Sequence, residues 1–126
     1  AYLGLSVAGF PNFFMLVGPN TGRGHNSMVF MIESQVAYVM DALKTMRAQN
    51  LRAVDVKPDA QVTFNKGIQG ALSKTVWTSG CKSWYVDANG KNTTLWPGFT
   101  FVYRGKTRTF KTGQYLLESS SATVAA

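Results

Sequence analysis

The sequence contains few of the residues that independent catalytic chemistry needs. Among its 126 residues there is one cysteine, Cys81, and one histidine, His25. A single thiol excludes both an intrachain disulfide and a zinc site built from several thiolates. No Ser/His/Asp set, no pair of carboxylates at catalytic spacing and no cluster of metal ligands can be identified. Hydrolytic or metal-dependent chemistry carried by this chain alone is therefore not expected.

Acidic residues are also scarce, six against 13 lysines and arginines, which gives a formal net charge of +7. This balance favours an anionic partner through long-range attraction. The basic residues are dispersed along the chain, however, so a dedicated nucleic-acid surface is not expected. No run of about 20 apolar residues occurs, which predicts no membrane span. The N-terminus lacks the basic-then-apolar pattern of a signal peptide, and we expect a cytoplasmic protein.

Glycine is concentrated in one stretch. Residues 13–17 form a short apolar run of the kind found in strands buried on both faces. Three glycines follow within residues 18–24, and Asn26 or Ser27 can cap the next helix. The pattern predicts a strand, a turn and a helix start whose free N–H groups favour a negatively charged ligand. An ordinary capped turn without a ligand explains the same residues and stays open as an alternative.

Apolar residues at helical spacing predict an amphipathic helix over residues 27–49, ending at Asn50, with its apolar stripe facing inward. Residues 51–56 predict a short strand, with a turn followed by an extended linker as the alternative, and residues 59–74 predict a second helix with a weaker stripe. Residues 87–90 have the composition of a turn. The inward stripe of the first helix is expected to consist of Met28, Ile32, Val36, Val39, Met40 and Leu43.

Two ordered blocks of motifs stand out along the chain. The first contains Gly-Phe-Pro-Asn at residues 9–12, Gly-Pro-Asn-Thr-Gly-x-Gly-His-Asn-Ser at residues 18–27 and Ile-Glu-x-Gln at residues 32–35. The second contains Trp-x-x-Gly-Cys-x-Ser-Trp-Tyr at residues 77–85, followed by Asn-Gly-Lys, Trp-Pro and Tyr-Arg. Together they resemble late segments of the class B flavoprotein monooxygenases, in particular the Baeyer-Villiger type. The glycine-rich turn alone would be weak evidence.

The resemblance implies two groups of cofactor-contacting residues. The first group, expected to lie against FAD, consists of Gly18, Asn20, Thr21, His25, Asn26 and Ser27. The second group, Ser83, Trp84 and Lys91, is expected to lie on a loop that covers NADP. On the residues alone, aromatic side chains in an extended segment are usually packing groups, and a lysine in a turn is usually solvated.

The chain lacks the two Gly-x-Gly-x-x-Gly turns with which this family binds FAD and NADPH. The glycines of residues 18–24 have the wrong offsets for such a turn, and no acidic residue follows at the distance that a ribose contact requires. We therefore interpret the chain as an α/β C-terminal fragment of a flavoprotein with two dinucleotide-binding domains. It would hold the last strand and helix of the FAD domain, a second helix, and a C-terminal extended segment with a turn.

The expected divisions are an FAD-domain part at residues 1–50, a helix with a cofactor-covering segment at residues 51–117, and a flexible tail at residues 118–126. The resemblance implies an FAD- and NADPH-dependent enzyme that inserts one oxygen atom from O2 into ketones or oxygenates heteroatoms. Its partners would be the missing N-terminal FAD and NADPH domains and a small ketone or heteroatom substrate.

No catalytic residue and no metal ligand is assigned within this chain, because the arginine that assists the oxygen step in the family lies upstream. The fragment alone is therefore expected to be inactive, and neither a nucleic-acid nor a membrane partner is expected. A freestanding small basic binding module remains an open alternative, as does an association unit that docks on a separate flavin domain or on a second copy of itself.

Overall fold

A long helix lies beside a two-stranded antiparallel sheet in the part of the molecule that can be described. The structure is a computed structural model, and it describes residues 1–22, 28–74 and 87–120. None of the helices within these ranges is long and apolar enough to cross a membrane. In chain order the elements are α1 (Met28–Ala48), β1 (Leu51–Val56), α2 (Pro58–Leu72), α3 (Thr100–Thr107), a short 3-10 helix (Thr112–Gln114) and β2 (Tyr115–Ser119).

Three of the predicted local elements are confirmed, namely the two helices and the strand at residues 51–56. The helix predicted over residues 27–49 is α1, and Asn50 follows it with a φ of 52°, the left-handed conformation that commonly ends a helix. The predicted strand is β1, and α2 begins at Pro58, where the missing N–H of proline costs no intrahelical hydrogen bond. This mixture of helices and strands confirms the α/β class of the fragment.

The inward face of α1 differs from the predicted one. Val36, Met40 and Leu43 are exposed, and the buried side of the helix is more polar than the stripe chosen from the sequence. A tyrosine and a glutamine can occupy this side because their polar atoms are hydrogen-bonded inside the protein. The buried residues of α1 are Met31, Ser34, Gln35, Tyr38 and Ala42.

The buried strand predicted at residues 13–17 is not formed. Phe13, Leu16 and Val17 are 47%, 48% and 50% exposed, and the segment carries isolated backbone hydrogen bonds, such as Met15 N–H to Leu5 C=O at 2.9 Å. A strand covered on both faces requires neighbouring strands in a sheet. In the described residues, β1 and β2 pair with each other and leave no partner for this segment.

The sheet joins two parts of the chain that are far apart in sequence. β1 and β2 are antiparallel, with Val54 opposite Leu117 and Val56 opposite Tyr115. Arg52 forms an ion pair with Glu118 beside this register. Because β2 extends to Ser119, the flexible tail predicted from residue 118 does not begin there; residues 121–126 lie outside the described residues.

Two apolar clusters form the core. The first joins the N-terminal segment to α1, to both strands and to Phe110. The second lies among α1, α2, α3 and the loop before α3, where Trp96 and Tyr103 meet edge to face at 5.0 Å between ring centroids. Residues on both sides of the predicted boundary at residue 50 contribute to each cluster. This packing places the turn at residues 18–22 against the loop at residues 92–96.

Candidate functional site

The turn at residues 18–22 has little freedom in the folded protein. A side chain at Gly18 would collide with the carbonyl of Gly4, so the two backbone segments can approach only because residue 18 has none. The Thr21 hydroxyl donates to the Gly18 carbonyl at 2.6 Å, and Thr21 is fully buried. Val17 and Asn20 have φ values of 55° and 58°. The left-handed conformation is strained for a β-branched residue such as Val17, so contacts with the surrounding structure must stabilise it.

A buried glutamine of α1 supplies one such contact. The Val17 N–H donates to Gln35 Oε1 at 3.0 Å, and Gln35 Nε2 donates to the Tyr103 hydroxyl at 3.1 Å. The Tyr103 hydroxyl in turn donates to the Leu3 carbonyl at 2.6 Å. Burial raises the pKa of Tyr103 to about 12, and the hydrogen bond from Gln35 opposes that rise. The phenol therefore stays protonated as a donor at neutral pH, and α1 and α3 together hold the start of the turn.

The turn is hydrogen-bonded directly to residues 92–96. The Asn20 side-chain Nδ2 donates to the carbonyls of Asn92 and Leu95, at 2.8 and 3.0 Å, while its backbone N–H donates to Thr93 at 2.9 Å. Gly22 exchanges backbone bonds with Thr94 and Trp96, at 2.8 and 2.9 Å. These contacts form a short parallel bridge between two segments that are distant in sequence.

The turn that precedes this loop positions Lys91. Gly90 has a φ of 78°, and its N–H donates to the Asp87 carbonyl at 3.0 Å, which confirms the predicted turn. The Asp87 carboxylate accepts from the N–H groups of Asn89 and Lys91, both at 2.9 Å. Such a short side-chain bond back to the following backbone is a common way for aspartate to stabilise a turn.

A groove of about 650 Å³ lies between α2, the 18–22 turn and Lys91. This volume is within the range of small-molecule sites. None of the described lining residues is acidic, and two are lysines, so the groove favours a ligand with negative charge or carbonyl oxygens. Its polar lining consists of Asn20, Asn65, Lys66, Gln69, Lys91 and Thr93.

The structure brings some of the predicted site residues together. Gly18, Asn20 and Thr21 share one turn, and Asn20 and Lys91 line the same groove although they were predicted to meet different cofactors. The side chains of Asn20 and Thr21 are both used in hydrogen bonds inside the chain. The other predicted residues, His25, Asn26, Ser27, Ser83 and Trp84, lie outside the described residues.

Sequence reasoning missed two residues that line the groove or support it. Gln69 of α2 donates to the Asn92 carbonyl at 2.8 Å. Asn92 is 1% exposed, its Oδ1 accepts from Thr94 and Leu95, and its Nδ2 has no acceptor among the described residues. A polar residue within a loop is normally expected to face solvent. The one signal in the sequence that could have drawn attention to Asn92 is its position just after the Asn-Gly-Lys motif.

Comparison with known proteins identifies the family of this chain. A Baeyer-Villiger monooxygenase of Pseudomonas aeruginosa is 52% identical over 122 residues, which is 95% of this chain and 23% of that protein. A protein of the same name from Streptomyces coelicolor is 46% identical and aligns with 91% of this chain and 22% of its own length. The chain is a fragment of a flavin monooxygenase. It spans less than a quarter of the length of these relatives.

The fold of this flavin monooxygenase fragment agrees with solved structures. Cyclohexanone monooxygenase from Rhodococcus sp. Phi1 bound to NADP+ superposes with a TM-score of 0.75 at 29% identity, over 95% of the fragment and 23% of that chain. No family profile matches the sequence. The family assignment therefore rests on the relatives and on the shared fold, and it confirms the resemblance seen in the two motif blocks.

Proposed function

We propose that the enzyme containing this chain is an FAD- and NADPH-dependent monooxygenase that inserts one oxygen atom from O2 into ketones, or oxygenates a heteroatom. The 52% identity to the Pseudomonas Baeyer-Villiger monooxygenase along almost the whole chain carries this proposal. In such an enzyme the flavin and the nicotinamide supply the redox chemistry. The part that this chain plays is to contact, orient and enclose them, and the chain alone is inactive.

The residues at the groove fit such cofactors. Two ammonium groups and several amides, with no lining carboxylate among the described residues, suit the phosphates and carboxamide of a dinucleotide. Because the side chains of Asn20 and Thr21 bond inside the chain, the turn with Gly18 would meet FAD through its backbone. By resemblance, His25, Asn26 and Ser27 extend that contact, and Lys91 with Ser83 and Trp84 contacts NADP.

An apolar stripe on the outside of α1 supports docking to the rest of the enzyme. Val29, Val36, Met40 and Leu43 recur at helical spacing, and all four are exposed. Contiguous apolar patches are uncommon on isolated proteins and typically mark interfaces. We propose that FAD and NADPH domains outside this sequence cover the stripe, with residues 1–50 completing the FAD domain and residues 51–117 covering the cofactors, and that the enzyme is cytoplasmic.

The test compares the intact enzyme with the 126-residue chain. The intact enzyme should purify with FAD and should consume NADPH faster when a small cyclic ketone is added, with the lactone as product. The chain alone should do neither. An intact enzyme without flavin would refute the proposal, and so would substrate-dependent NADPH oxidation by the isolated chain.

The exposed stripe also favours a second candidate, an association unit that pairs with a copy of itself. Two such stripes could pack against each other as a helix pair. Light scattering of the isolated chain after gel filtration separates the two ideas. A dimer that Met40→Glu converts to monomer would support self-association, whereas a monomer at high concentration would count against it.

A further inference from the structure

We propose that Asn20 is a positioning residue whose side chain holds the loop at residues 92–96 against the turn at residues 18–22, so that the two segments move together. This inference rests on the proposed function, in which the turn contacts FAD and Lys91, next to the loop, contacts NADP. Asn20 would thereby couple the two cofactor contacts, although its own side chain is turned into the protein.

The hydrogen bonds of the Asn20 side chain carry this inference. Its two Nδ2 hydrogens are directed to two carbonyls, those of Asn92 and Leu95, at 2.8 and 3.0 Å. Asn20, Asn92 and Leu95 are all buried, so removing the amide would delete two buried hydrogen bonds; the Asn92 carbonyl would keep its bond from Gln69, whereas the Leu95 carbonyl would lose the Asn20 donor. The bonds span more than 70 residues of sequence, and one of them ends at Asn92, the first residue after Lys91.

The backbone of Asn20 explains why this residue type suits the position. Its φ of 58° lies in the left-handed region, which asparagine tolerates better than most residues with a side chain. In that conformation its N–H donates to Thr93 at 2.9 Å while the side chain reaches the flanking carbonyls. Glycine would keep this backbone but lose the side-chain bonds, so the two contributions can be separated.

The turn and the loop have different remaining supports when the Asn20 amide is deleted. The turn keeps the bond from Val17 to Gln35 and the close approach of Gly18 to Gly4. The loop keeps Gln69 as its described side-chain donor from another element, together with the backbone bonds that join Thr93, Thr94 and Trp96 to the turn. Deletion should therefore loosen the loop more than the turn, and Lys91 would have to be ordered again each time NADP binds.

The experiment uses the intact flavin-loaded enzyme with three variants. Asn20→Gly removes the side-chain donors and keeps the left-handed backbone, and Asn20→Asp places a carboxylate against two carbonyls at nearly unchanged volume. Asn50→Gly is the matched control, because Asn50 has a φ of 52° but an exposed side chain at the end of α1. The readouts are flavin content, the NADP+ dissociation constant, and the fraction of consumed NADPH that appears as hydrogen peroxide.

We expect Asn20→Gly and Asn20→Asp to retain flavin, to weaken NADP+ binding by roughly tenfold and to raise the peroxide fraction, as the loss of two buried hydrogen bonds would allow. Asn50→Gly should match the wild type. If both Asn20 variants bind NADP+ and form product as Asn50→Gly does, the proposal is overturned. A wild-type enzyme without flavin would instead overturn the proposed function, and this inference with it.

Hydrogen exchange of the wild-type enzyme gives an answer that does not depend on variants folding. Adding NADP+ should slow exchange at the amides of Asn20 and Gly22 together with that of Trp96, since these N–H groups form the bonds between turn and loop. Slower exchange in the loop with no change in the turn would show that the two move separately and would overturn the proposal.

Discussion

Replacing Gly18 by alanine should destabilise the folded chain through a steric conflict that exists without any cofactor. The backbone of Gly18 is outside the left-handed region, so alanine is conformationally acceptable there. The added methyl group, however, would overlap the Gly4 carbonyl oxygen and lie 3.0 Å from the Gly4 carbonyl carbon. Because the obstacle is backbone rather than the end of a flexible side chain, one of the two segments must move.

The expected magnitude follows from two opposing effects. Forcing an extra methyl group into a packed site costs typically 1–3 kcal/mol, about 2 kcal/mol here because the backbone must shift. Alanine also lowers the conformational entropy of the unfolded chain, which offsets about 0.5 kcal/mol of this loss. We therefore expect a net loss near 1.5 kcal/mol, which for a chain of this length lowers the melting temperature by roughly 6 °C.

The assay is thermal and urea unfolding of the 126-residue chain, followed by circular dichroism. Gly67→Ala is the matched control, because Gly67 lies inside α2 and no atom would be within 4 Å of its added methyl group. That substitution should stabilise the chain by about 0.5–1 kcal/mol through helix propensity. The opposite signs of the two glycine substitutions make the experiment informative even if the absolute values differ.

Equal stability of Gly18→Ala and the wild type would refute the steric reasoning. It would mean that the turn yields at no cost, and a role for Gly18 in FAD binding would then be the better explanation for the residue. A loss of stability in the isolated chain would show that the glycine is required by the fold before any cofactor binds.

Three further predictions concern ionisation, an exposed ion pair and the faces of α1. Burial raises the pKa of Tyr103 to about 12, so this residue should contribute a fall of about 3 kcal/mol in the free energy of unfolding as pH rises from about 10 to about 12. Burial also raises the pKa of Tyr2, Tyr38 and Tyr115, so the total fall should be larger, and urea titrations should show a shallower fall in Tyr103→Phe. An unchanged slope in that variant would contradict the assignment. Glu118→Gln should change stability by less than about 0.5 kcal/mol, because its partner Arg52 is itself half exposed; a loss above about 1 kcal/mol would be inconsistent with a solvent-screened pair. Met40→Asp should be nearly neutral in the isolated chain, whereas Ala42→Asp should lower the free energy of unfolding by more than about 3 kcal/mol, since it buries a carboxylate; similar melting temperatures would show that the α1 faces are wrongly assigned.

Local elements were predictable because their signals are local. The end of α1 at Asn50 and the start of α2 at Pro58 depend on backbone preferences of a few neighbouring residues. β1 was predicted as well, but its partner β2 was not, because pairing across a long loop is decided by packing and leaves no mark in either segment. The run at residues 13–17 is the opposite case. Its apolar character indicates a buried strand, but a buried strand also needs neighbouring strands, and the described residues offer none to this segment.

The face of α1 illustrates a second reason for error. Val36, Met40 and Leu43 form a convincing apolar stripe, yet Gln35 and Tyr38 lie inward. Apolar periodicity indicates that a face can be buried but does not say against which part of an enzyme. A polar side chain becomes favourable inside once its hydrogen bonds are satisfied, and those partners belong to distant elements.

The amino-acid sequence by itself determined the family of this chain, the extents of α1, β1 and α2, and the absence of a complete dinucleotide-binding fingerprint. These follow from motifs, periodicity and backbone chemistry that act over short distances. The tertiary structure alone decided that Asn20 is bonded to the loop beside Lys91, and that Gln35 holds the strained turn. A buried hydrogen bond depends on the positions of both of its partners. These partners are far apart in the sequence and come together only when the chain folds.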